Sequence, residues 1–77
     1  MTAAYVLMQL NAPDPRKIMK SIRAVKGVKQ AHLLAGPTDC IVYVETDSQE
    51  ALTNIIVALR GVKGVASTDT RIAVTGA

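Results

Sequence analysis

The first chemistry in this sequence lies in Gly36-Pro37-Thr38-Asp39, set between two apolar runs in LLAGPTDCIVYVE, residues 33–45. Proline holds φ near about −65° and cannot take a central position of the type I′ turn that closes tight hairpins, so the connection must be wider. Gly36 can adopt positive φ and lets another group approach its backbone. Asp39 places a carboxylate at the mouth of a run that stays apolar until Glu45. A free amide, space beside it and an acid nearby suit a small zwitterion, the amide for its carboxylate and Asp39 for its ammonium. Gly, Pro, Thr and Asp are also ordinary loop residues, so a plain turn explains them equally.

A second polar cluster is ASTDT, residues 66–70, at the start of the last apolar run. Alternation puts Thr68 and Thr70 on one face with Ile72 and Val74. Their hydroxyls would line a polar pocket, or would simply belong to an edge strand built from a good strand former. His32 could act as a general base in a cleft, but the sequence fixes no nucleophile or carboxylate beside it, and a structural or surface histidine is the simpler reading. Cys40 opens an apolar strand and reads as a small buried hydrophobe rather than a reactive thiol.

No enzyme motif accompanies these residues. CxxC is absent, one His and one Cys make no zinc spacing, and neither GxGxxG nor a Walker sequence occurs. No metal and no cofactor is implied. The net charge is +3, with Lys and Arg dispersed along the chain and not interleaved with stacking aromatics, which argues only weakly for nucleic acid. The basic face of the first helix reads most simply as a solvated face. A lone cysteine, no charged residue before the first apolar run, and no run near the roughly 20 residues that span a bilayer lead to the expectation of a soluble, cytoplasmic chain.

The elements that must position these groups follow from punctuation and period. Residues 4–10 form a short run of strand formers closed by NAPDP. Asp14 can cap a helix with Pro15 in its first turn, and Ile18, Met19, Ile22 and Val25 recur at helical spacing up to Gly27. Residues 28–35 and 38–46 read as two strands. Asp47 and Glu50 have the spacing of a capping box for a second helix, whose stripe is Leu52, Ile55, Ile56 and Leu59 and whose stop is Gly61 and Gly64. A last strand is expected over 66–74.

VKGV follows each helix, at 25–28 and 62–65. The order βαββαβ with this echo predicts a single-domain α+β ferredoxin-like sandwich, a four-stranded antiparallel sheet with both helices on one face. The central strands are apolar on both parities: Val6, Met8 and Leu10 against Tyr5 and Leu7, then Cys40, Val42 and Val44 against Ile41 and Tyr43. A chain of 77 residues makes a thin core. Both observations predict a homodimer with sheets packed face to face.

GVKQAHLLAGPTDCIVYVETDSQEAL followed by LRGVKGVASTDTRIAV resembles the effector-binding RAM domain of the Lrp/AsnC transcription regulators. The resemblance rests on Gly-Val after the first helix, Gly-x-x-Asp at Gly36 and Asp39, the apolar strand that follows, Gly64-Val65, and Thr-x-Thr at Thr68 and Thr70. It implies an amino-acid effector bound between dimers, often in rings of dimers, at Gly36, Thr38, Asp39, Thr68 and Thr70. Thr38 stands where the family commonly has an aromatic. Members usually carry an N-terminal helix-turn-helix, and this chain starts at the first strand. It therefore resembles the stand-alone form, for which direct DNA binding is not expected and co-assembly with full-length regulators is. A small enzyme of the dimeric α+β barrel type using His32, or a purely structural oligomerisation module, are the alternatives.

Overall fold

Strand alternation and helix capping together decide where the apolar side chains go. The computed structural model describes residues 2–74, in the order β1 (Thr2–Leu10), α1 (Pro15–Arg23), β2 (Val28–Leu33), β3 (Cys40–Thr46), α2 (Gln49–Arg60) and β4 (Val65–Ile72). The strands form one antiparallel sheet in the order β2-β3-β1-β4. This is the ferredoxin-like βαββαβ sandwich.

Even-numbered side chains of β1 and β3 face the helices. Ala4, Val6, Met8, Cys40, Val42 and Val44 join Ile18, Met19 and Ile22 of α1 and Leu52, Ile55 and Leu59 of α2 in one buried cluster. Burying these aliphatic groups supplies the main stabilising term, at roughly 1.5–3 kcal/mol for each large side chain.

The helices start and stop for local reasons. Asp14 caps α1, its carboxylate accepting from the Arg16 N–H at 3.1 Å, with Pro15 in the first turn. α2 is capped by Ser48, whose Oγ accepts from the Ala51 N–H at 3.1 Å, rather than by the Asp47 and Glu50 pairing expected from spacing. Thr46 accounts for the shift. It is the last residue of β3 and donates to the Ser48 carbonyl at 2.8 Å, which holds Ser48 at the entry to the helix.

After each helix a glycine takes φ of +101°, Gly27 and Gly64, and each meets an isoleucine of the other helix. A Cβ on Gly27 would collide with Ile55 Cδ1, and one on Gly64 with Ile18 Cδ1. The repeated VKGV is thus a pair of reciprocal sockets that dock each helix beside the other's terminal turn.

Five strand limits differ from the sequence reading, with β1 beginning at Thr2 rather than residue 4 and β4 at Val65 rather than residue 66. β2 ends at Leu33, not at residue 35, and β3 begins at Cys40, not at residue 38. The loop between them spans six residues because Asp39 has left the ladder to bond β1. β4 ends at Ile72, and Val74 lies beyond it and exposed, past the last bond to β1, from the Ala73 N–H to the Ala3 carbonyl at 2.9 Å.

Candidate functional site

The Gly36 corner is held from below by β1. Leu34 N–H donates to the Asp39 carbonyl at 2.8 Å and Asp39 N–H to the Met8 carbonyl at 3.1 Å, which close the loop's base. The even residues of β1 turn their backbone toward β3, and β3 stops opposite Met8. Leu10 N–H would therefore have no strand partner. Asp39 Oδ2 accepts it at 2.9 Å. Gln9 Nε2 donates to the Pro37 carbonyl at 2.6 Å, pinning the loop's middle to the same strand.

Sequence reading missed Gln9 as a loop contact. Its one signal was an uncharged polar residue in an otherwise apolar strand.

With its base and middle fixed, the loop leaves its Gly36 corner open. Gly36 has φ of +140°, and nothing lies within 4 Å of the position a Cβ would take. Only the backbone conformation, and not crowding, demands glycine there. Among the described residues, the N–H groups of Ala35, Gly36 and Thr38 have no hydrogen-bond partner. Asp39 Oδ2 is engaged and Oδ1 is not.

Thr68 and Thr70 sit across β1 from this loop. Thr68 pairs with Met8 and Thr70 with Val6, so both point to the helix face, as does Ile72 opposite Ala4. Met8 is thus flanked by Asp39 on one side and Thr68 on the other, two interstrand spacings or about 10 Å apart. The fold brings Gly36, Thr38, Asp39 and Thr68 to the region around one end of β1 and leaves Thr70 opposite its middle, at Val6. It does not bring them into one cavity. Thr68 borders a polar recess of about 390 Å³ with Arg60 and Ser67. Thr70 borders an apolar groove of about 260 Å³ with Leu52, Ile56 and Ile72. Gly36, Thr38 and Asp39 stand on the rim outside both.

The other candidates resolve differently. His32 is exposed on the helix-free face opposite Ile41, and the recess that it borders holds Arg23 and Lys29 but no carboxylate. Cys40 is fully buried, its thiol 3.7 Å from Met19 Sδ, and burial pushes its pKa up while the positive charge of Arg23 offsets part of the shift. No group of three or more His, Cys, Asp or Glu side chains among the described residues could hold a metal ion.

The helix-free face carries Tyr5, Leu7, Ile41 and Tyr43. Tyr5 is 45% exposed, and its ring lies 5.0 Å from that of Tyr43 at 47°. Burial among its neighbours, then the nearby Glu45 carboxylate, raises the Tyr43 pKa. On the β4 side, Arg71 pairs with Asp69 at 2.9 Å. An apolar centre with an ionic margin is the general form of a protein interface.

The sequence pattern of the Lrp/AsnC ligand binding domain matches residues 3–75. The chain belongs to this family. Its structure superposes on the crystal structure of FFRP-DM1 with a TM-score of 0.87 at 35% identity, covering 96% of this chain and 100% of that one. It is similar to the hypothetical protein PHS023 from Pyrococcus horikoshii, with a TM-score of 0.86, 35% identity and coverage of 96% and 90%. The transcriptional regulator NMB0573 from Neisseria meningitidis, in complex with L-Met, shares the fold at a TM-score of 0.85 and 19% identity. There the match covers 97% of this chain and 51% of that one. No curated protein matches the chain. This RAM domain is therefore a ligand-binding domain of a transcription-regulator family, and no helix among its described residues is long and apolar enough to cross a membrane.

Proposed function

We propose that this RAM domain is a non-enzymatic amino-acid sensor that works as a homodimer and as a higher oligomer such as a ring of dimers. The observation that carries the reading is the Gly36 corner, where amides without hydrogen-bond partners adjoin a glycine open to approach and a carboxylate with one free oxygen. The amides of Gly36 and Thr38 receive the ligand's carboxylate, Asp39 Oδ1 its ammonium, and the hydroxyls of Thr68 and Thr70 its polar margin. Both charged ends of an amino acid need partners once water is removed. Because Thr68 and Thr70 lie across β1 from the loop, a second copy completes the enclosure.

Dimerisation follows from the helix-free face. Covering Tyr5, Leu7, Ile41 and Tyr43 contributes at about 25 cal/mol per Å² of apolar area, and a domain of this size has little core to spare. NMB0573 bound to L-Met supports an amino acid as the ligand class, and the family supports co-assembly with full-length regulators.

The test is thermal unfolding with each of the twenty amino acids at millimolar concentration. A ligand at 100 times its dissociation constant adds about 2.7 kcal/mol, and about 1 kcal/mol moves the midpoint of so small a domain by roughly 4–8 °C. The expected result is a rise with one or a few amino acids that blocked N-acetyl or amide derivatives do not reproduce. No rise with any amino acid overturns the sensor reading and leaves an oligomerisation module.

A further inference from the structure

Lys and Arg are concentrated in one stretch of the chain, and folding aligns them. Residues 15–38 hold six of the nine Lys and Arg and none of the six acids, so the rest of the chain is net negative. This segment is α1, the turn after it, and β2, which lie side by side at one edge of the domain. Ile18, Met19 and Ile22 turn inward, which leaves Arg16, Lys17, Lys20 and Arg23 on the outer face of α1. Lys63 joins Lys17 at one end of this ridge, where both border the same groove. Lys29 joins Arg23 at the other.

Among the described residues, the ion pairs are Arg16 with Asp14 and Arg71 with Asp69, so Lys17, Lys20, Arg23, Lys29 and Lys63 have no acidic partner. Arg23 is further fixed by donating Nε and Nη2 to the Ala31 carbonyl.

We propose that this ridge is a docking surface for the phosphate backbone of duplex nucleic acid. A row of unpaired cations on one rigid helix matches a regular line of anions, and release of counterions from a duplex drives such binding without any base contact. The shape excludes a single strand. Tyr5 and Tyr43 are the chain's two aromatics and both stand on the opposite, helix-free face, so no ring is available to stack on bases. Binding is therefore weak and indifferent to sequence. Such binding would hold the domain near DNA. The inference does not rest on the ligand site, and pairing of two copies through their helix-free faces leaves both ridges outside.

The test is fluorescence anisotropy with two duplexes of about 25 base pairs and unrelated sequence, at several salt concentrations. Four phosphate contacts predict similar affinity for both and a slope of log K against log salt near about −3.6. Lys17→Ala/Lys20→Ala is expected to lower the slope's magnitude by about 2. Asn54→Glu/Ala58→Glu on the exposed side of α2 changes net charge by the same amount and is expected to leave the slope unaltered. Absence of binding at 20 mM salt, equal losses in the two double variants, or displacement of the duplex by poly-L-glutamate at matched charge would each overturn the proposal, the last by assigning the ridge to an acidic protein. Circular dichroism of each variant establishes that it folds.

Discussion

The Asp39 carboxylate accepts a hydrogen bond from the backbone N–H of Leu10 at 2.9 Å, at the point where β3 has ended and β1 has not. One oxygen thus closes the sheet while the other stays free, so the same side chain serves the fold and the candidate site. Two substitutions separate these duties. Asp39→Asn keeps an acceptor for Leu10 and removes the charge, so stability should fall by less than about 1 kcal/mol while amino-acid binding is lost. Asp39→Ala removes both and should cost about 1–3 kcal/mol in chemical denaturation. Equal stability losses in the two variants, with retained binding, would refute this division.

Gly27 and Ile55 predict a second outcome. Gly27→Ala forces a side chain into φ of +101° and against Ile55 Cδ1. Backbone strain of this kind costs about 1–3 kcal/mol. Ile55→Val removes Cδ1 and relieves only the collision, so the double variant should recover part of the loss measured by urea unfolding. Full recovery would mean that strain contributes nothing.

Leu7 lies at the centre of the helix-free face, between Ile41 and Asp69. Leu7→Lys should convert a dimer to a monomer in analytical ultracentrifugation at micromolar concentration, with a fall in melting temperature that depends on concentration for the parent chain alone. A dimer that survives this change would place the interface elsewhere.

Cys40 titrates with a definite sign. Burial raises its pKa in the folded state, so below the ordinary thiol range both states are protonated and the site is neutral to stability loss. Above about pH 8.5 the unfolded chain ionises and the folded one does not, so stability contributed by the buried thiol is lost as pH rises. Cys40→Ala or Cys40→Val should flatten that alkaline decline. A thiol reagent should react with the native chain only at the rate of unfolding, and fast labelling at pH 7 would contradict the burial.

Gly36, Thr38, Asp39, Thr68 and Thr70 stand out as candidates in the sequence because glycine, proline and hydroxyl residues punctuate the apolar runs. The same local signals located six elements, since period and capping depend on neighbours in sequence. Ser48 in place of Asp47 escaped because the Thr46 hydroxyl holds the Ser48 carbonyl, and the burial of Thr46 shows only in the fold. Gln9 escaped because its partner, the Pro37 carbonyl, is distant in sequence and near only after β1 and β3 pair.

What the sequence determined by itself is therefore the order and type of elements, the two-sided apolar character of β1 and β3, and the residue types of the candidate site. Only tertiary structure decided that Asp39 caps Leu10, that Thr68 and Thr70 fall across β1 from the loop and face the helices, and that six cations form one ridge. Each of these depends on strand register and helix placement, which arise from burial summed over the whole core, and no short window of residues contains that sum.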